Sequence, residues 1–228
     1  MPSDSNYRLP LSKVLARFAT AIPALGLMFF VPAGTLLYWE AWVYVFILIV
    51  PMAFLVRYLY QHDPQLLDRR MRMKERLKAQ KIIVALGWFS FLPAFLIPGF
   101  DHRFGWSQMP LAAIIASEML VLFGYLVVAL AFKANSYASR IIEVEPGQMV
   151  ISTGLYSVVR HPMYFGVIFF YIFSPLALGS YWGALPALLI VPVLIARIKN
   201  EEKELLNNLA GYDEYMNKTR YRLLPGIW

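Results

Sequence analysis

The sequence predicts an all-α, multi-pass helical membrane protein with about six transmembrane helices, and three observations lead there. Of its 228 residues, 59% are hydrophobic and 15% are charged, whereas a soluble domain typically carries ~45–50% apolar and ~25% charged residues. A soluble fold of this size has no interior large enough for that excess, and a disordered chain would not carry it. The apolar residues also fall into uninterrupted runs of spanning length. The basic residues, finally, collect in every second loop between those runs.

A hydrocarbon core of about 30 Å needs ~20 helical residues. Residues 18–38 and 82–100 each supply an uncharged run of that order. Residues 41–56 form a shorter run followed by Arg57, whose long side chain can snorkel to the interface. The run 109–132 is interrupted only by Glu118, an acid near the middle of a span. Ionisable residues at that depth are costly and usually face the bundle interior, so Glu118 reads as a protonated structural glutamate bonded to a neighbouring helix before it reads as a substrate ligand. Residues 163–196 carry no charge, and as one helix they would be ~51 Å long, too long for one crossing. They read as a tight hairpin broken at Gly179-Ser180-Tyr181-Trp182-Gly183, each limb slightly short, with Tyr and Trp in the far interface. Pro23, Pro32, Pro51, Pro93, Pro175, Pro186 and Pro192 fall within spans, where neighbouring helices or water re-satisfy the carbonyls they free.

Charge placement tests the count independently. With six crossings and both termini on one side, that side receives every one of the 21 lysines and arginines except Arg103. Cytoplasmic loops carry such an excess, so both termini are expected in the cytoplasm, at a bacterial inner membrane or a eukaryotic endoplasmic reticulum. The net charge of +7 then reads as orientation and attraction to anionic headgroups, not as nucleic-acid binding. The first apolar run is of full spanning length without a small-x-small cleavage site, so it reads as a span and not as a cleaved signal peptide. The absence of cysteine excludes disulfides, thiolate metal sites, cysteine nucleophiles and cysteine-linked lipids. No internal repeat is present.

Three polar segments share the basic side. Residues 61–80 are expected to form a basic interfacial helix after Pro64, in its plainest reading a lipid-surface anchor. Residues 135–160 contain the turn Glu145-Pro146-Gly147 and a β-leaning stretch, 149–153, and residues 207–228 form a tyrosine-rich tail. His62 and His102 are assigned to loops and show no metal-ligand spacing. The second segment runs into Arg160-His161-Pro162-Met163-Tyr164-Phe165-Gly166. Pro162 suits the first turn of a helix, which puts free backbone N–H groups and a positive dipole end beside Arg160 and His161, an arrangement that can hold a carboxylate or phosphate. An ordinary membrane-boundary Arg and His with a helix-starting Pro is the plainer alternative. The last span ends Arg197-Ile198-Lys199-Asn200-Glu201-Glu202. Arg197 and Glu201 share a helix face, and an i,i+4 ion pair is their plainer reading. In a hairpin, His161 and Glu201 emerge on the same side. A wall of Arg and His facing a Glu suits a zwitterion, and Tyr156, Tyr164, Tyr212 and Tyr215 offer rings for a flat heterocycle or a cation.

These residues carry a resemblance. The stretch from Gly154 to Gly166, then Glu201-Glu202, then Gly211-Tyr212-Asp213-Glu214-Tyr215, resembles the integral-membrane methyltransferases, which include isoprenylcysteine carboxyl methyltransferases and phospholipid methyltransferases. Their shared pattern, Arg-His-Pro-x-Tyr-x-Gly followed by Glu-Glu, is present at every fixed position. The resemblance covers about residues 134–228, a catalytic region, and leaves residues 1–133 as spans one to four with a basic loop. It implies S-adenosyl-L-methionine bound at the cytoplasmic face. Tyr156, Arg160, His161, Pro162 and Tyr164 would line the cofactor pocket, Glu201 would bind the cofactor, and Gln148, Val150 and Ile151 would contribute mainly through backbone. Arg197 matches the position that orients a substrate carboxylate. A carboxylate acceptor needs no strong base, whereas an amine must lose a proton, for which Glu202 or a tyrosine is the candidate.

The activity so implied is methyl transfer to a lipid or lipidated small molecule in the membrane, most simply onto a carboxylate; an ethanolamine phospholipid N-methyltransferase is the alternative. An NADPH-dependent membrane reductase would want more spans and more basic residues in the pocket. A non-enzymatic transporter or scaffold would want ionisable residues along the spans or paired repeats. Nothing in the sequence implies a nucleic-acid partner or an obligate protein partner.

Overall fold

The computed structural model describes residues 10–71 and 78–228, and all regular structure among them is helical. In chain order the helices are α1 (Leu11–Ala33), α2 (Trp39–His62), α3 (Pro64–Met71), α4 (Lys78–Phe104), α5 (Leu111–Ala134), α6 (Pro162–Ala177), α7 (Tyr181–Ala187), α8 (Ile190–Asn208) and α9 (Tyr212–Lys218). A single 3-10 turn, Gly154–Ser157, precedes α6. Helices α1, α2, α4 and α5, and α7 together with α8, are long and apolar enough to cross a membrane, while α6 is apolar but shorter. Six crossings are compatible with this set. At about 1.5 Å per residue α6 extends ~24 Å, a few ångströms short of the hydrocarbon core. Large apolar side chains point away from the protein: Phe89 is 75% exposed and Phe54 70%. Lipid is the solvent that such a surface fits. This is an integral membrane protein.

Successive spans run in opposite directions, which leaves the bundle with a basic end and a far end. α1 begins earlier than its uncharged run, taking in Lys13 and Arg17, and it stops at Gly34, whose φ of +66° ends the helix in a left-handed cap. The last apolar run bends back where expected, at Leu178–Ser180, with Gly179 at φ +77°. A second break at Leu188–Leu189 separates α7 from α8, and there Ser90 of α4 donates to the carbonyl of Pro186.

α5 and α6 make the most extensive helix pair, and a glycine on each explains it. A methyl built on Gly166 would lie 2.7 Å from the Gly124 carbonyl oxygen, and one on Gly124 would lie 2.6 Å from that of Gly166. Small residues at such a crossing let two backbones approach within van der Waals contact. The far end is closed by short polar links. Buried Asp101 accepts hydrogen bonds from Ser107 N, Ser107 Oγ and Ser180 Oγ, and Ser180 in turn caps α7 through Gly183 N. Tyr38 donates to the Leu178 carbonyl and stacks on His102.

Four expectations change. His62 and His102 lie in helices, at the last turns of α2 and α4, because each helix continues beyond its apolar run. Residues 149–153 form no strand, since no backbone among the described residues pairs with them; Met149, Val150 and Ile151 line a cavity instead. Of the segment 61–80, α3 does not lie on the bundle as a surface anchor: Leu66 and Leu67 are buried against Val14, Leu59 and Phe132. Residues 72–77 of that segment, with Arg72, Lys74 and Arg76, lie outside the described residues, as does Arg8. Glu118 is buried on α5, and neither carboxylate oxygen has a hydrogen-bond partner among the described residues.

Candidate active site

The site lies at the basic end, where the Arg160–Gly166 stretch, the end of α8 and the tail converge. The chain arrives through the 3-10 turn, whose first residue, Gly154, has φ +59°. His161 then takes the N-cap position of α6 with Pro162 at the first turn, as the sequence predicts. The tail holds this approach in place: Arg160 N donates to the Tyr221 carbonyl and His161 N to that of Arg222, both at 2.9 Å.

Two polar centres grow from this junction. In the first, Glu202 is buried and both its oxygens are engaged. Oε1 accepts from Arg160 Nε at 2.7 Å and stands 3.3 Å from His161 Nε2, while Oε2 accepts from Arg222 Nε at 2.7 Å. Arg160 also donates through Nη1 to the carbonyls of Thr219 and Arg220. This cluster ties α6, α8 and the tail together, and a buried carboxylate needs such pairing. No local pattern in the sequence marks Arg222, which completes the ion pair from twenty positions downstream of Glu202.

In the second centre, Tyr164 joins the two α8 residues. Its hydroxyl donates to Glu201 Oε2 at 2.6 Å and accepts from Arg197 Nε at 2.9 Å. Arg197 is further held by Gln80 Oε1 and by the Arg140 carbonyl. Gln80 is fully buried at the start of α4, another contributor that sequence spacing does not reveal.

Between the centres lies a cavity of about 800 Å³, its open mouth included. Its walls bring together Gln148, Val150, Ile151, Tyr156, Arg160, His161, Tyr164, Arg197 and Glu201. Pro162 and Glu202 stay outside it: Pro162 starts the helix, and Glu202 faces the clamp. Asn135, Glu143, Leu205, Leu209, Tyr212 and Tyr215 are also among the lining residues. The tyrosines pack into a wall in which Tyr215 donates to the Tyr156 carbonyl at 2.7 Å and lies 5.7 Å, ring to ring, from Tyr212. Burial pushes the Tyr156 phenol up to about 12. It pushes Tyr212 up as well, with Glu202 and Glu201 adding to the rise, so these phenols keep their protons at neutral pH.

Residues 114–207 match the model of the isoprenylcysteine carboxyl methyltransferase (ICMT) family. The matched stretch runs from α5 to the end of α8 and contains both Arg160–Gly166 and Glu201-Glu202. It supports the assignment of this region to the integral-membrane methyltransferases. No curated protein matches the chain. The ICMT-like stretch includes α5, whose close approach to α6 at Gly124 gives the glycine of the Arg-His-Pro-x-Tyr-x-Gly pattern its physical role. The tail that supplies Arg222, Tyr212 and Tyr215 lies beyond it.

The cavity's chemistry suits S-adenosylmethionine. The tyrosine wall offers rings to an adenine, and Glu201 offers a carboxylate to an ammonium or a ribose. His161 sits at the N-terminus of α6, where backbone N–H groups favour an anion. Among the described residues no cluster of His, Asp and Glu could hold a metal ion.

Proposed function

We propose that the protein is an S-adenosylmethionine-dependent methyltransferase acting on a lipid-like carboxylate acceptor at the cytoplasmic face of its membrane. One observation carries the reading: a single tyrosine hydroxyl joins Arg197 and Glu201 on the wall of one cavity. A cation for the acceptor and an anion for the cofactor thus stand two hydrogen bonds apart.

The division of labour follows from position. Glu201 and the tyrosine wall would hold the cofactor, with Gln148, Val150 and Ile151 along its edge. Arg197 would orient the acceptor. S-adenosylmethionine supplies a methyl carbon on a positively charged sulfur, and its transfer to a carboxylate oxygen forms one O–C bond, returns the S–C electron pair to sulfur and moves no proton. Rate would then come mainly from holding the reacting atoms near ~3–3.5 Å. Ethanolamine N-methylation is supported less well, because it needs a base. Glu202 has both oxygens engaged by arginines, and the tyrosines of the wall retain their protons.

The test is transfer of a radiolabelled methyl group from S-adenosylmethionine to membrane lipids by the purified protein, followed by mild alkaline hydrolysis. Base-labile label, released as methanol, is expected from an ester. Base-stable label would show N-methylation instead.

A further inference from the structure

A second cavity, of about 730 Å³ with its open mouth, lies against the first and shares Ser139, Ile141, Met163, Tyr164 and Arg197 with it. Its lining has an unusual composition: three arginines, Arg70, Arg140 and Arg197, and three valines, Val84, Val128 and Val167. The valines belong to α4, α5 and α6, each in the second turn from the basic end. No aspartate or glutamate lines this cavity.

Arg70 is the informative member. It comes from α3, outside the stretch that matches a known family, and it lies under the 135–160 segment rather than at the lipid surface. Its Nη1 donates to the Ser139 carbonyl at 3.0 Å and stands 3.8 Å from Met163 Sδ, while the guanidinium stacks 4.7 Å from the Phe132 ring. Among the described residues no carboxylate pairs with it. Burial, with Arg140 and Arg197 close by, pushes its pKa down to about 10. A guanidinium desolvated without a counterion is costly, and like charges nearby raise that cost. An anion in the cavity removes both penalties.

We infer that this cavity seats the methyl acceptor and that Arg70 is a specificity-determining residue for it. The carboxylate of a single-chain amphiphile lies between Arg70 and Arg197, and its chain runs out past Val84, Val128 and Val167 into the bilayer. The inference rests on the methyl-transfer reading of the neighbouring cavity. Its own content is that the acceptor's anionic head is read by Arg70, a residue of the N-terminal half.

The experiment compares tetradecanoate, tetradecanol and tetradecylammonium as ligands for the full chain in a neutral detergent, with S-adenosylhomocysteine affinity measured on the same samples. Tetradecanoate is expected to bind at least tenfold more tightly than either of the others. Arg70→Gln should erase that preference while leaving S-adenosylhomocysteine affinity within twofold, and Arg70→Lys should keep part of it. Equal affinity for the three amphiphiles in the wild-type protein overturns the inference, whether or not the variants fold. A preference that survives Arg70→Gln overturns the role of Arg70. Anion preference without any S-adenosylhomocysteine binding would instead sink the methyl-transfer reading and leave the anionic site standing.

Discussion

The two ends of the bundle use polar residues in opposite ways. At the far end the links are short, and every partner lies at or beside a helix terminus. Asp101 gathers Ser107 and Ser180, and Tyr38 reaches Leu178. These bonds close the turns between spans. At the basic end the side chains are long, and they bridge elements far apart in sequence: Arg160 to Glu202, Arg222 to Glu202, Arg197 to Gln80. Two adjoining cavities lie among them. Polar groups in a membrane protein are costly at either end; the long-range network frames the cavities on which the proposed function rests, and the compact one fastens the turns of the fold.

That contrast can be broken in graded steps. Glu202→Ala should have the largest effect, because it strands two arginines that its oxygens now pair. Removing one partner of a buried ion pair costs ~3–5 kcal/mol, so the variant is expected to unfold at markedly lower temperature and to lose ligand binding with its fold. Asp101→Ala strands the serine donors and should cost ~1–3 kcal/mol. Molecules that remain folded should bind S-adenosylhomocysteine as before, and reduced affinity at unchanged folded fraction would join the two ends functionally. Tyr164→Phe removes only the hydroxyl that joins Arg197 to Glu201. Its two hydrogen bonds are to charged groups, so thermal stability should fall modestly, while S-adenosylhomocysteine affinity falls about tenfold as Glu201 loses the bond that holds it. The smallest effect is expected at Glu118, whose carboxyl has no hydrogen-bond partner among the described residues. Glu118→Leu should leave stability within ~1 kcal/mol of wild type or raise it, as replacing an unsatisfied buried polar group often does; a large loss of stability or activity would give that residue a role outside this account.

The sequence made the fold legible wherever a local rule governed it. Uncharged runs gave the spans, Gly179 gave the hairpin, and Pro162 gave the start of α6. Helix ends were harder, since Lys13 and Arg17 continue α1 beyond its apolar run. The site was readable to the extent that it lies in two short motifs. Both centres hold residues from those motifs, and Tyr164 links Arg197 with Glu201. What stayed hidden was contributed from afar. Arg222, Gln80 and Arg70 sit in polar or basic stretches that read equally well as solvated surface, and only their approach in space sets them apart. The anchor expected over 61–80 differs at α3 for the same reason: its arginines are plain in the sequence, whereas the burial of Leu66 and Leu67 that turns the helix inward appears only in space.

The most direct test of the central claim is calorimetric titration of S-adenosylmethionine and S-adenosylhomocysteine into the detergent-purified protein, with NADPH as control and Glu201→Ala as comparison. The account predicts micromolar binding of both methyl-cycle ligands, none of NADPH, and loss of binding in a Glu201→Ala protein that keeps its thermal transition. Binding of NADPH alone, or ligand affinity indifferent to Glu201, would contradict it.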